Sequence, residues 1–194
     1  MLASGTGTNL QALLDDARVG SHVTLVLSDR AGSGALKRAE DRGIKAVHLD
    51  PAGYPDRQAY DLALLDLLHP EADLVCLAGF MRILSPPVVR AFAGRMVNVH
   101  PSLLPAFPGA HAVTDALAWG VRVTGVTVHM VDEEVDHGPI LLQEAVTVEE
   151  GDDQASLHAR IQAVEHRLYP RAVGLLVEGR VRVDGRVVRL TEGP

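Results

Sequence analysis

The sequence predicts an α/β fold: a mainly parallel twisted sheet with helices on both faces, and antiparallel elements towards the C-terminus. Three observations predict it. Short apolar runs alternate with amphipathic stretches through the first two thirds of the chain, the pattern of repeated βαβ units. Two longer apolar-rich stretches then flank a polar turn, as paired antiparallel strands do. The chain closes on alternation around Asp184-Gly185, the strongest short hairpin signal it contains. Repeated βαβ units of this kind make the sheet Rossmann-like.

Taken in order, strands are expected over 23–27, 46–49, 73–78 and 96–99. Helices are expected over 9–19, 34–42, 57–68 and 86–93, where apolar residues recur at helical spacing. The antiparallel pair is read at 122–131 and 140–148. A long helix follows over 153–176, with a kink or break at Tyr169-Pro170 because proline lacks the N–H that a helix interior needs. The final hairpin spans 180–190. Before the first glycine turn only Met1, Leu2 and Ala3 remain, so the first strand is either very short or incomplete.

At 194 residues the chain fits one domain, 1–194, with enough length to bury a substantial core. The formal charge of -7, from 25 acidic against 18 basic residues, argues against a general nucleic-acid binder, which needs clustered lysine and arginine to replace counterions. Cys76 is the single cysteine, so no intrachain disulfide forms, and its apolar neighbours disfavour a reactive thiolate. No apolar run reaches the roughly 18 residues of a membrane span, and the N-terminal residues do not read as a signal peptide. A cytoplasmic location is expected.

Three motifs carry chemistry. In Ser4-Gly5-Thr6-Gly7-Thr8-Asn9-Leu10, two glycines allow a sharp turn that brings backbone N–H groups towards an anion at a helix start. Leucine stands where a dinucleotide fingerprint has its third glycine, and no Walker lysine follows, which favours a monophosphate over NAD or ATP. The other reading is a tight strand-to-helix turn with Thr8 as N-cap. In Asn98-Val99-His100-Pro101-Ser102-Leu103-Leu104-Pro105, Asn98 and His100 lie two apart on a strand end and share one face. An amide donor beside an imidazole suits acyl transfer; a capping Asn followed by a surface His is the alternative. In Val131-Asp132-Glu133-Glu134-Val135-Asp136-His137-Gly138-Pro139, four acids read either as a solvated loop or as one that turns Asp136 inwards to orient His100 or a water. Neither H-x-x-x-H nor C-x-x-C occurs, so no metal is expected.

Together these pieces resemble the glycinamide ribonucleotide formyltransferase family over nearly the whole chain. The shared stretches are 4–11, 78–85 (A-G-F-M-R-I-L-S), 98–105, 108–111, 136–143 and 162–170. Asn-x-His-Pro-Ser-Leu-Leu-Pro with a later Asp marks the wider formyltransferase superfamily, while the phosphate loop and Gln-x-x-Glu-His narrow it to this member. The resemblance implies the formyltransferase fold, and Asn98, His100 and Asp136 as the catalytic group. It implies Gly5, Thr6, Gly7, Thr8 and Asn9 around the ribonucleotide phosphate, and Met81, Pro101, Gln162 and Glu165 at the glycinamide and ribose end. Folate would lie along the backbone of Arg82, Ile83 and Leu84 and near Val131 and Asp136, with Arg57 meeting its glutamyl carboxylate. Thr127 and His129 fall near the catalytic group, although His129 reads equally as a packed strand histidine.

The implied reaction moves the formyl group of 10-formyltetrahydrofolate, a cosubstrate, onto the amine of glycinamide ribonucleotide in de novo purine synthesis, with His100 protonated. Partners are small molecules only, with neither nucleic acid nor membrane, and the chain is expected as a monomer or homodimer. Two features depart from the family's common form: the short first strand, and His137 where a small residue is frequent. Among rivals, methionyl-tRNA formyltransferase would add a basic C-terminal domain and formyltetrahydrofolate hydrolase an N-terminal regulatory one. A non-catalytic nucleotide- or folate-binding module is disfavoured by the intact Asn98, His100 and Asp136.

Overall fold

The computed structural model describes residues 1–191 as two compact units, 1–97 and 98–194 of the chain. In the first unit β1 (Leu25–Ser28) pairs in parallel with β2 (Lys45–His48). Leu2 bridges in parallel to both Leu27 and Leu77, which places it between β1 and β3 (Val75–Ala78). Its N–H donates to the Cys76 carbonyl at 2.9 Å, and its own carbonyl accepts from Ala78 N–H at 3.2 Å. The Met1 carbonyl and Ala3 N–H complete the pairing to Leu27. Three residues therefore do the work of a central strand, and Leu2 is wholly buried.

Helices α1 (Thr8–Asp15), α2 (Gly34–Asp41), α3 (Arg57–Leu68) and α4 (Pro86–Ala91) separate these strands, as the apolar spacing predicts. Local chemistry sets their ends. Ser33 Oγ accepts from Leu36 N–H, and Asp56 Oδ1 accepts from Ala59 N–H at 2.8 Å, each satisfying a donor that the first helical turn leaves open. Leu10 and Leu14 of α1 pack with Val26, Ala35 and Ala39 in one core cluster. Helix α1 stops four residues before the predicted end. Arg18 N–H bonds the Asp16 carboxylate instead of a helical carbonyl, and a 3-10 turn follows over Gly20–His22.

The chain passes into the second unit along β4 (Met96–His100). Here β5 (Val123–Met130) pairs antiparallel with β6 (Ile140–Thr147), with a register shift at Val128/His129. A helix that the sequence pattern did not suggest, α5 (Ala112–Trp119), precedes β5. Helix α6 (Gln154–Val177) starts on an Asp153–Ser156 capping box and packs on β5, β6 and α5. The break expected at Pro170 does not occur. Buried Leu168, Tyr169, Ala172 and Val173 hold the helix through the proline, so tertiary packing outweighs the missing hydrogen bond. β7 (Val181–Asp184) and β8 (Val187–Leu190) form the expected hairpin. Its two-residue turn is Gly185-Arg186, one position later than the Asp-Gly reading, because Asp184 pairs with Val187. The α/β class predicted from sequence is what the chain folds into: parallel pairing with intervening helices first, antiparallel strands last.

Candidate active site

In the first unit the glycine turn is built from backbone. Gly7 is left-handed, with φ of 74°, and it rather than Thr8 is the N-cap of α1; no side chain caps this helix. The first turn of α1 carries the positive end of the helix dipole, and no acid stands in that turn to neutralise it. A Cβ on Gly7 would lie 2.7 Å from Ala35 Cα, and one on Gly34 2.5 Å from the Thr6 carbonyl oxygen, so the turn fits against the start of α2 only because both are glycine. Ala35 N–H donates to the Gly5 carbonyl at 3.3 Å, and Arg38 Nε donates to the Thr6 carbonyl at 3.0 Å. These bonds turn the loop's carbonyls towards α2. Gly5 and Thr6 are exposed, while Gly7, Thr8 and Asn9 are half-buried.

The 81–84 segment lies in the same unit. Ser4 Oγ accepts from Met81 N–H at 2.9 Å and donates to Asp29 at 2.5 Å, which fixes the backbone where the segment begins. The side chains of Met81 and Ile83 stand exposed, an apolar pair available for contact. Arg57 donates to the Ile83 carbonyl at 2.5 Å, and Arg82 stacks over the Tyr60 ring at 4.7 Å. Arg57, expected at a glutamyl carboxylate, thus also braces the segment expected to lie along folate. Burial of Tyr60 pushes its phenol up to about 12, so it stays neutral.

In the second unit three separated stretches converge. His100 Nδ1 lies 3.3 Å from Asp136 Oδ2, and His100 Nε2 lies 2.8 Å from the Phe107 carbonyl. Asn98 Nδ2 is 3.5 Å from Asp136 Oδ1 and 3.2 Å from His129 Nε2. His129 Nδ1 lies 2.9 Å from the Met130 carbonyl, and its Nε2 lies 3.6 Å from Asp136 Oδ1. Asp136 holds its place through Gly109 N–H, which donates to Oδ2 at 2.7 Å. His100 and His129 are buried and Asp136 is half-buried.

Burial works against the Asp136 anion. The His129 ring, the Gly109 amide and the charge His100 can carry outweigh it and hold the carboxyl below its usual range. For His100 burial wins, and it lowers the imidazole below its ordinary value despite the nearby Asp136. Both ring nitrogens face acceptors, a geometry suited to imidazolium, yet the free protein favours the neutral ring.

Around this group, Thr127 is wholly buried; its hydroxyl donates to the Ser102 carbonyl at 2.7 Å and accepts from Leu104 N–H at 3.0 Å. It anchors the loop that follows His100. Glu165 is buried on α6, while Gln162, Pro101 and Val131 are half-buried. Two participants went unread in the sequence, the Phe107 carbonyl and the Gly109 amide. Both are backbone groups without a side-chain signature, and only the Pro-rich turn chemistry of 105–109 hints at them. Among the described residues, no group of three or more His, Cys, Asp or Glu is placed to hold a metal ion, and no helix is long and apolar enough to cross a membrane.

Residues 1–173 match the family described as formyl transferase. The chain is 46% identical over 194 residues to a phosphoribosylglycinamide formyltransferase of Mycobacterium tuberculosis, covering 98% of this chain and 89% of that one. It is also 46% identical over 198 residues to the bovine (Bos taurus) trifunctional purine biosynthetic protein adenosine-3, covering 99% of this chain but only 20% of that relative's length. The crystal structure of glycinamide ribonucleotide transformylase 1 from Symbiobacterium toebii superposes with a TM-score of 0.94 at 52% identity, covering 98% of this chain and 92% of that one. The chain belongs to the formyl transferase family and, within it, to the phosphoribosylglycinamide formyltransferases.

Proposed function

We propose that this chain transfers the formyl group of 10-formyltetrahydrofolate to the amine of glycinamide ribonucleotide, giving formylglycinamide ribonucleotide and tetrahydrofolate in de novo purine synthesis. The observation that carries this reading is the convergence of Asn98, His100 and Asp136, with His100 Nδ1 3.3 Å from the Asp136 carboxylate. Amide, imidazole and carboxylate are the groups that acyl transfer to an amine needs.

The amine lone pair attacks the formyl carbon, and the carbonyl π electrons move onto oxygen. The N–H groups of Asn98 and His100 stabilise that oxyanion, and one such donor contributes about 2.7–4 kcal/mol to lowering a barrier of this kind. With both substrates bound His100 stands protonated and keeps that proton throughout, so its positive charge meets the oxyanion as it develops. A water positioned by Asp136 relays the proton from the attacking nitrogen to N10 of the folate. The carbon–N10 bond then breaks and the carbonyl re-forms, with no net gain or loss of protons.

The ribonucleotide phosphate takes the N–H groups of Gly5, Thr6, Gly7, Thr8 and Asn9. Met81, Pro101, Gln162 and Glu165 meet its glycinamide and ribose end. Folate takes the backbone of Arg82, Ile83 and Leu84, contacts Val131 and Asp136, and sets its glutamyl carboxylate against Arg57. The chain works on small molecules in the cytoplasm, and no step calls on a metal.

A formyl-transfer assay with both substrates tests this reading. Tetrahydrofolate should appear only when glycinamide ribonucleotide is present, in equal amount with the formylated product. Rapid folate release without the ribonucleotide would show transfer to water and overturn the proposal.

A further inference from the structure

The loop joining β5 to β6 carries Asp136, and one of its ties comes from far along the chain. The base of the loop is closed by backbone: Met130 N–H donates to the Pro139 carbonyl at 2.8 Å, and a Cβ on Gly138 would approach the Met130 carbonyl oxygen to 1.9 Å. Its outer part is held by side chains. Asp136 has φ of 53°, a left-handed conformation uncommon outside glycine that Asp is among the few residues to adopt. On one side the restraint is the Gly109 amide. On the other it is His137.

Asp132 accepts from Glu134 N–H through Oδ1 at 3.0 Å and lies 2.8 Å from His137 Nδ1 through Oδ2. Arg186, at the tip of the β7–β8 hairpin, donates to the His137 carbonyl at 2.7 Å, and its Nη1 lies over the imidazole, 3.1 Å from Nε2 and 3.4 Å from Nδ1. The carbonyl bond, the ring contact and the His137–Asp132 pair together hold the residue that immediately follows Asp136. The hairpin itself buries little, since most of its strand residues are exposed. A two-stranded hairpin with so small a core is marginal on its own, and Arg186 ties its tip to the loop.

We infer that Arg186 is a positioning residue for Asp136: the C-terminal hairpin braces the 131–138 loop through the side chain and carbonyl of His137. This rests on the assignment of Asp136 to the transfer chemistry. A displacement of about 1 Å in a reacting constellation costs on the order of 10²-fold in rate, so partial loosening of this loop predicts roughly a tenfold loss.

The test uses the full chain with R186A, R186K, D136N, the double variant R186A/D136N, and R182A as a control on the same hairpin. R186A is expected to lower kcat about tenfold while the ribonucleotide KM stays within about twofold, the signature of a contact felt in the transition state. R186K, which keeps a donor within reach of the carbonyl, should recover most of the rate, and R182A should match wild type. In the D136N background R186A should add nothing, because the two act through one carboxylate. Wild-type kcat in R186A, multiplication of the two losses in the double variant, or failure of R186K to recover would overturn the brace while leaving the role of Asp136 standing. Wild-type kcat in D136N would remove that role and the brace with it.

Discussion

The glycine turn of the first unit and the Asn98–His100–Asp136 group of the second use different materials. The turn presents backbone N–H groups, held by two close glycine contacts and by bonds that pin its carbonyls elsewhere. The second group presents side chains whose protonation responds to their neighbours, at distances of 3.2–3.6 Å. Backbone donors have fixed charge and bind an unchanging phosphate equally well before and during reaction. Side chains with adjustable protons interact most strongly where charge develops. On the proposed function one region would govern binding and the other rate, and perturbing each in turn tests that division.

The largest effect is expected at His100. His100→Ala should lower kcat by about 10³-fold, within the range for loss of a positioned acid–base group, with the ribonucleotide KM changed less than about threefold. Steady-state kinetics at saturating folate checks it. Asn98→Ala follows, at about 10²–10³-fold in kcat for one lost oxyanion donor. Gly7→Ala should do the reverse, raising the ribonucleotide KM about 10–100-fold with kcat nearly kept. It should also cost about 1–3 kcal/mol of stability from overpacking against Ala35, read by urea unfolding.

The smallest effect is on stability against pH. Burial holds folded His100 below its ordinary 6.5, whereas the unfolded chain titrates near that value. Above 6.5 both states are neutral and the full stability is present. As the pH falls below 6.5 the unfolded state takes up a proton first, so stability declines until the folded group also titrates. His100→Asn should flatten that decline in thermal midpoints measured from pH 7.5 to 5. An equally steep decline in the variant would remove His100 from the linkage.

Sequence carried the parts of this molecule whose causes are local. Helix α3 was read to its observed bounds because Asp56 caps it and its apolar spacing is regular. The glycine turn was legible because few residues besides glycine take a φ of 74°. Periodicity misleads where a competing side-chain bond or tertiary packing decides. Periodicity ran α1 on towards Val19, but the Asp16 carboxylate captures Arg18 N–H. Pro170 reads as a break without the packing of α6, and nothing in the apolar pattern marks α5. The inward turn of Asp136 was the least legible feature. It depends on a left-handed backbone and on the Gly109 amide 27 residues earlier, neither of which leaves a mark in a run of four acids.

Calorimetric binding of glycinamide ribonucleotide, paired with the single-turnover rate of formyl transfer, tests the division of labour most directly when applied to His100→Ala and Gly7→Ala side by side. The account predicts that His100→Ala loses rate and keeps its Kd, while Gly7→Ala loses affinity and keeps its rate once saturated. Loss of affinity and rate in the same proportion in both variants would contradict it.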